Sequence, residues 1–133
     1  MSAILDVEQN IQVGTATMIF SASQSTSYAA VFEDDGETGY FYGLDNSLGE
    51  SPIVDALHIY NTAQITDKHL PSSVKIYWSS DRLKTVLMIN DYPHAVIDFA
   101  SKRAYCRTNF PPPPKGWTNH GHEWDDRAME HFR

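Results

Sequence analysis

A chain of 133 residues, 41% apolar, 20% charged and 12% aromatic, can bury a core without covalent staples and is too rich in rings for a long disordered stretch. Its formal charge of −7 repels phosphate backbones and anionic membranes, so neither a nucleic-acid nor a membrane partner is expected, while a basic protein surface stays compatible. The single cysteine, Cys106, excludes an intrachain disulfide and leaves a Cys-based zinc site unsupported.

A lone thiol fits a reducing cytoplasm. The N-terminal ten residues carry Asp6 and Glu8 and no basic n-region, unlike a signal peptide, and no apolar run approaches the ~20 residues of a membrane span. One β-rich domain over 1–133 is expected. Residues 1–12 are weakly patterned, and Ile4, Leu5, Val7 and Ile11 suit an edge strand better than a short helix. Over 13–22, Thr15, Thr17 and Ile19 alternate with Ala16, Met18 and Phe20, and the face holding Met18 and Phe20 has core character. A Ser- and Thr-rich loop follows at 21–27.

Residues 28–42 read as a hairpin. Asp35-Gly36 is a favoured type I′ pair, because both central residues of that turn need positive φ. The implied register sets Asp34 against Glu37, Glu33 against Thr38, Phe32 against Gly39, Val31 against Tyr40 and Ala30 against Phe41, with Phe32 covering the bare Gly39 backbone. Turn-formers mark a loop over 43–52, closed by Pro52. Residues 53–60 are read as a strand rather than a helix, and 61–73 as a connection. From 74 to 105 three alternating runs and a short fourth, separated by turns at 79–82, 90–93 and 101–103, form a meander of sequential antiparallel neighbours. Pro111 to Pro114 then end the sheet, since their rings remove backbone donors. Asp125 is placed to cap a short helix through Phe132, docked by Trp124, Met129 and Phe132. The predicted fold is mainly β, an antiparallel meander forming a sandwich or open barrel with one short C-terminal helix. Phe41, Ile76, Leu87, Ile97 and Phe99 should be buried.

Candidate chemistry sits at four places. The hairpin tip offers Glu33, Asp34, Asp35 and Glu37, for calcium or a basic partner, but lacks the ligand spacing of an EF-hand loop. With the charge of the chain, the absence of a complete catalytic motif and the abundant rings, this favours a non-enzymatic protein-binding module. Its binding residues would be Glu33, Asp34, Glu37, Tyr40 and Tyr42, and an immunity or inhibitor role against a basic toxin is the concrete version. Asn119-His120-Gly121-His122 holds two imidazoles at a spacing that turns both one way on an extended segment. No cofactor is expected. The alternative is a metal-assisted or acid–base enzyme holding a transition metal on His120 and His122, its third ligand drawn from His131, Glu123, Asp125 or Asp126. His58, His94 and Asp98 lie on predicted strands, where a His–Asp couple would serve as general base. Cys106 beside Arg107 is a thiol of lowered pKa or, in the plainer reading, a small buried hydrophobe. The rings also suit a small-ligand β-barrel, and an edge strand near the N-terminus with exposed rings suits a homodimer.

The runs FEDDGETGYFYGLD, IVDALHIYN, YWSSDRLKTVLMIND, HAVIDF and YCRTNFP, with a late W-x6-W-D-D, resemble a family of small bacterial proteins catalogued only as a domain of unknown function. The resemblance covers about 28–126. It brings no activity, cofactor or catalytic residue, and implies a bacterial, cytosolic, single-domain protein.

Overall fold

A computed structural model describes residues 3–114, 116–118 and 120–133. It is mainly β. A five-stranded antiparallel sheet has the order β1-β6-β7-β8-β9, and a four-stranded antiparallel sheet the order β2-β3-β4-β5. The strands are β1 (Ile4–Ile11), β2 (Thr17–Ala22), β3 (Tyr28–Asp34), β4 (Thr38–Asp45), β5 (Ile53–Asn61), β6 (Ser72–Trp78), β7 (Lys84–Ile89), β8 (Tyr92–Asp98) and β9 (Arg103–Cys106). The sheets form no closed barrel, and the space between them is filled. Phe32, Phe41, Leu57, Ile76, Leu87 and Ile97 are each fully buried there. Burial of such side chains contributes about 1.5–3 kcal/mol apiece. This leaves the sandwich, and the ligand-holding barrel loses its lumen. All five residues expected in the core are inside.

The meander follows from its turns. Asn90 and Asp91 both adopt positive φ, 52° and 63°, between Ile89 and Tyr92, the arrangement of a type I′ hairpin. Arg82 and Lys102 take the same region in the two flanking turns. The weak N-terminal pattern does become an edge strand, pairing with β6 through a register irregularity between Leu5 and Val7. The first two residues of that stretch lie outside the described ones.

Two details differ from expectation. On β2 the core residue is Ile19, 3% exposed, with Ser21 beside it. Met18 and Phe20 face outward at 66% and 56%. Ser21 decides the orientation, because its Oγ donates to Asp6 (2.6 Å) and accepts from the buried Trp78 indole (2.8 Å). In the hairpin, Gly36 alone has positive φ and Asp35 N donates to the Thr38 carbonyl, so the loop is Gly36-Glu37. Phe32 therefore pairs with Phe41 and Asp34 with Gly39. The slip is two residues, so every side chain keeps its expected face. Gly39 is covered by the Tyr60 ring, and a Cβ there would stand 2.7 Å from it.

The C-terminal segment fills the outer face of the larger sheet. Asp125 caps a 3-10 helix, Asp126–Phe132, by accepting from Arg127 N. Ala128 and Phe132 pack on Val86 and Val96, joined by Tyr77, Tyr105 and Trp124. This explains why β8 is buried on consecutive residues from Ala95 to Asp98 rather than on alternate ones.

Candidate functional site: the outer face of the four-stranded sheet

The acidic tip divides into groups that build the turn and groups that remain outside. Asp34, expected among the free acids, is 1% exposed. Its carboxylate accepts from Gly14 N (2.8 Å), Gly36 N (2.8 Å) and the Tyr60 hydroxyl (2.7 Å). Burial, then the bond to Asp34, push the Tyr60 hydroxyl far above its usual range. Asp35 accepts from Glu37 N and Thr38 N, and the backbone bond from Thr38 leads in holding its carboxyl below the usual value. Asp34 is thus withdrawn from any contact surface, because a strand residue beside the turn is the one that can satisfy three inward donors. Glu33 is half-buried and Glu37 exposed.

Glu33 points to the outer face, where strand pairing lines up two rows. Phe20, Val31, Tyr42 and Ala56 form one, and Met18, Glu33, Tyr40 and His58 the other. The Tyr40 and Tyr42 rings stack at 5.8 Å. The His58 ring meets Tyr40 edge-on at 5.4 Å and Phe110 at 6.0 Å, and its Nε2 contacts Asn61 Oδ1 at 3.0 Å. Burial first, then the Glu33 carboxylate, raise the Tyr42 hydroxyl. The result is a partly open aromatic strip with one carboxylate among the rings. Such rings hold cations over their faces, and a carboxylate alongside adds a counter-charge.

The charge around this face is one-sided. Residues 1–67 contain ten acidic side chains and no lysine or arginine, whereas 68–133 contain ten basic and seven acidic ones. All four strands of the smaller sheet lie in the first part, so that sheet carries no cation.

The two histidines of the H-x-H motif do not converge. His120 is exposed, in a shallow depression with Lys102, Trp117 and Thr118. His122 is fully buried, and its Nε2 lies 2.8 and 2.9 Å from the Asp55 carboxylate oxygens. Outside a regular strand the expected alternation does not hold; the His122 backbone accepts from Cys106 N and turns its ring inward. Asn119 lies outside the described residues. Among those described, no group of three or more His, Cys, Asp or Glu side chains is placed to hold a metal. Asp125 is engaged with Arg127 (2.7 Å) and Asp126 with the Trp124 indole (2.7 Å).

Among the described residues the His–Asp couple is His122 with Asp55. Among the three residues paired from sequence, Asp98 accepts from Ser101 N, and His94 is half-buried, its imidazole lowered to about 4 by burial and then by Arg107. Cys106 is fully buried, as the plainer reading had it. The signal for Asp55 was local: a carboxylate inside the apolar run IVDALHIY needs a partner wherever that run is a core strand.

A family model described as an uncharacterized protein conserved in bacteria, DUF2251, matches residues 11–133. The chain belongs to this family. An uncharacterized protein of Haemophilus influenzae is 43% identical over 102 residues, which is 77% of this chain and 60% of that protein. The chain thus spans about three-fifths of the length of the curated relative it matches. No solved structure matches. The DUF2251 match reaches beyond the 28–126 of the sequence resemblance at both ends, and it includes the tyrosine strip, Asp55 and His122. The DUF2251 description assigns no activity. No helix among the described residues is long and apolar enough to cross a membrane.

Proposed function

We propose that this DUF2251 protein is a single-domain, cytoplasmic, non-enzymatic binding module that holds a basic protein partner on the outer face of its four-stranded sheet. The observation that carries the reading is the stacked Tyr40–Tyr42 pair beside Glu33 on a sheet without lysine or arginine. A partner arginine or lysine laid over these rings gains a cation–π contact of about 0.5–2 kcal/mol, with Glu33 as its counter-charge. Glu37 and Asp35 at the sheet's end extend the acidic rim, which favours encounter with a basic surface more than it adds affinity. An immunity or inhibitor role against a basic toxin fits these features.

The test is affinity capture from a bacterial extract at low and at moderate salt, with the natural chain and with a Glu33→Gln/Tyr42→Ala variant. The expected result is a partner retained at low salt, released at moderate salt and lost from the variant. A partner that the variant keeps, or no salt-sensitive partner, would overturn the reading.

A further inference from the structure

The four edges of the two sheets are treated differently. The β5 edge is covered: His58 N donates to the Phe110 carbonyl (2.8 Å) and Thr108 Oγ1 donates to the His58 carbonyl (2.7 Å). At the β9 edge Cys106 N donates to His122 O. β1 is interrupted between Leu5 and Val7 and carries Asp6 and Glu8. Charges, irregularities and covering segments are the usual means of keeping sheet edges from pairing. β2 has no charge and no irregularity of its own, and among the described residues its cross-sheet hydrogen-bond partner at this edge is Asp6 of β1, which accepts from Ser21 Oγ. The β2 sequence, TMIFSA, contains no proline, and its register against β3 is unbroken. No charged residue occurs from Gln9 to Phe32.

We propose that the β2 edge pairs with the β2 edge of a second copy of this chain, joining two four-stranded sheets into one across a two-fold axis at Ile19. An antiparallel pair must keep inward residues opposite inward ones. Centring on Ile19 does so: Ile19 meets its own copy on the core side, Thr17 meets Ser21, and Met18 meets Phe20 on the outer side. That last contact sets a thioether against a ring, twice over, with side chains now 66% and 56% exposed. An isologous interface needs this kind of self-complementarity. The acidic character of residues 1–67 does not oppose it. The two Glu33 side chains would stand three strand spacings apart, about 14 Å. That exceeds the Debye length of about 8 Å at physiological salt. The neutral strand favours a second copy over a charged partner, and the inference is independent of the tyrosine site.

The experiment is light scattering and sedimentation over a wide concentration range. The natural chain should reach twice the 15.0 kDa chain mass. Phe20→Lys and Met18→Lys, both at exposed positions, should stay at the single mass with unchanged circular dichroism. A second measurement fixes the register: mixed Met18→Cys and Phe20→Cys chains should cross-link to each other under mild oxidation. A natural chain that stays monomeric throughout, including one that instead accepts a foreign extended peptide, would overturn the proposal. So would lysine variants that still dimerise, or a Phe20→Cys chain that links only to itself.

Discussion

Asp34 stands beside the turn and Glu37 within it, and the two differ in what they would cost to remove. Asp34 accepts two backbone donors and a buried phenol, and bonds to a charged acceptor contribute about 1.5–3 kcal/mol each. Asp34→Ala is expected to lower unfolding free energy by about 3 kcal/mol in urea titration. Glu37→Ala, at an exposed loop position, should change it by less than about 0.5 kcal/mol. Equal effects would mean that Asp34 builds the turn no more than Glu37 does. His94 adds a pH dependence. Its folded value of about 4 lies below the ordinary 6.5, so the unfolded chain binds the extra proton first. The stability that neutral His94 contributes is complete above pH 6.5 and is lost as pH falls from there towards 4. His94→Gln should flatten this part of the denaturation profile; a profile with its slope unchanged would place the effect elsewhere.

At the level of elements, the C-terminal segment is held by one buried pair and one apolar face. His122→Ala would leave the Asp55 carboxylate buried without its ring partner, a change that costs about 3–5 kcal/mol. Adding Asp55→Asn should recover part of that loss, and a double-mutant cycle that shows no coupling would contradict the pairing. A chain ending at Asp125 would uncover Val86 and Val96, and should bind a hydrophobic dye that the 133-residue chain does not. The strands, meander and capping Asp125 were legible in the sequence because each rests on local alternation or turn chemistry. The tip loop was misplaced by one residue because the Asp35 side chain caps Glu37 and Thr38, which leaves Gly36 the only left-handed residue there. The β2 faces were reversed because a buried Ser21 bridging Asp6 and Trp78 has no periodic signature. In the candidate site, Glu33, Tyr40 and Tyr42 were legible as binding candidates, but the expected register set Glu33 against Thr38 and Tyr40 against Val31, and only the two-residue slip brings Glu33 beside Tyr40. The stacking of the two tyrosines, and the pairing of His122 with Asp55 across 67 positions, are tertiary facts that no local pattern encodes.

Across the whole molecule, charge changes sign after the smaller sheet ends, although β1, with Asp6 and Glu8, joins the larger sheet. The first half contributes the four-stranded sheet and ten acids, and every cation comes after it. Self-repulsion within the acidic half weakens the compact state at low ionic strength, and salt screens it. The thermal midpoint should therefore rise when salt goes from about 10 mM to about 150 mM, as the screening length falls from roughly 30 to 8 Å. A midpoint that falls over this range would mean that attraction between the halves dominates. The buried pair bears on how the protein is made. Asp55 leaves the ribosome long before His122, and domains tend to settle as the chain emerges at about 5–20 residues per second. A nascent chain that has finished both sheets still holds an acid in its interior with no ring beside it. Completion of the sandwich is thereby tied to synthesis of the segment that carries His122, and a product cut short before it would keep Asp55 buried without its ring partner.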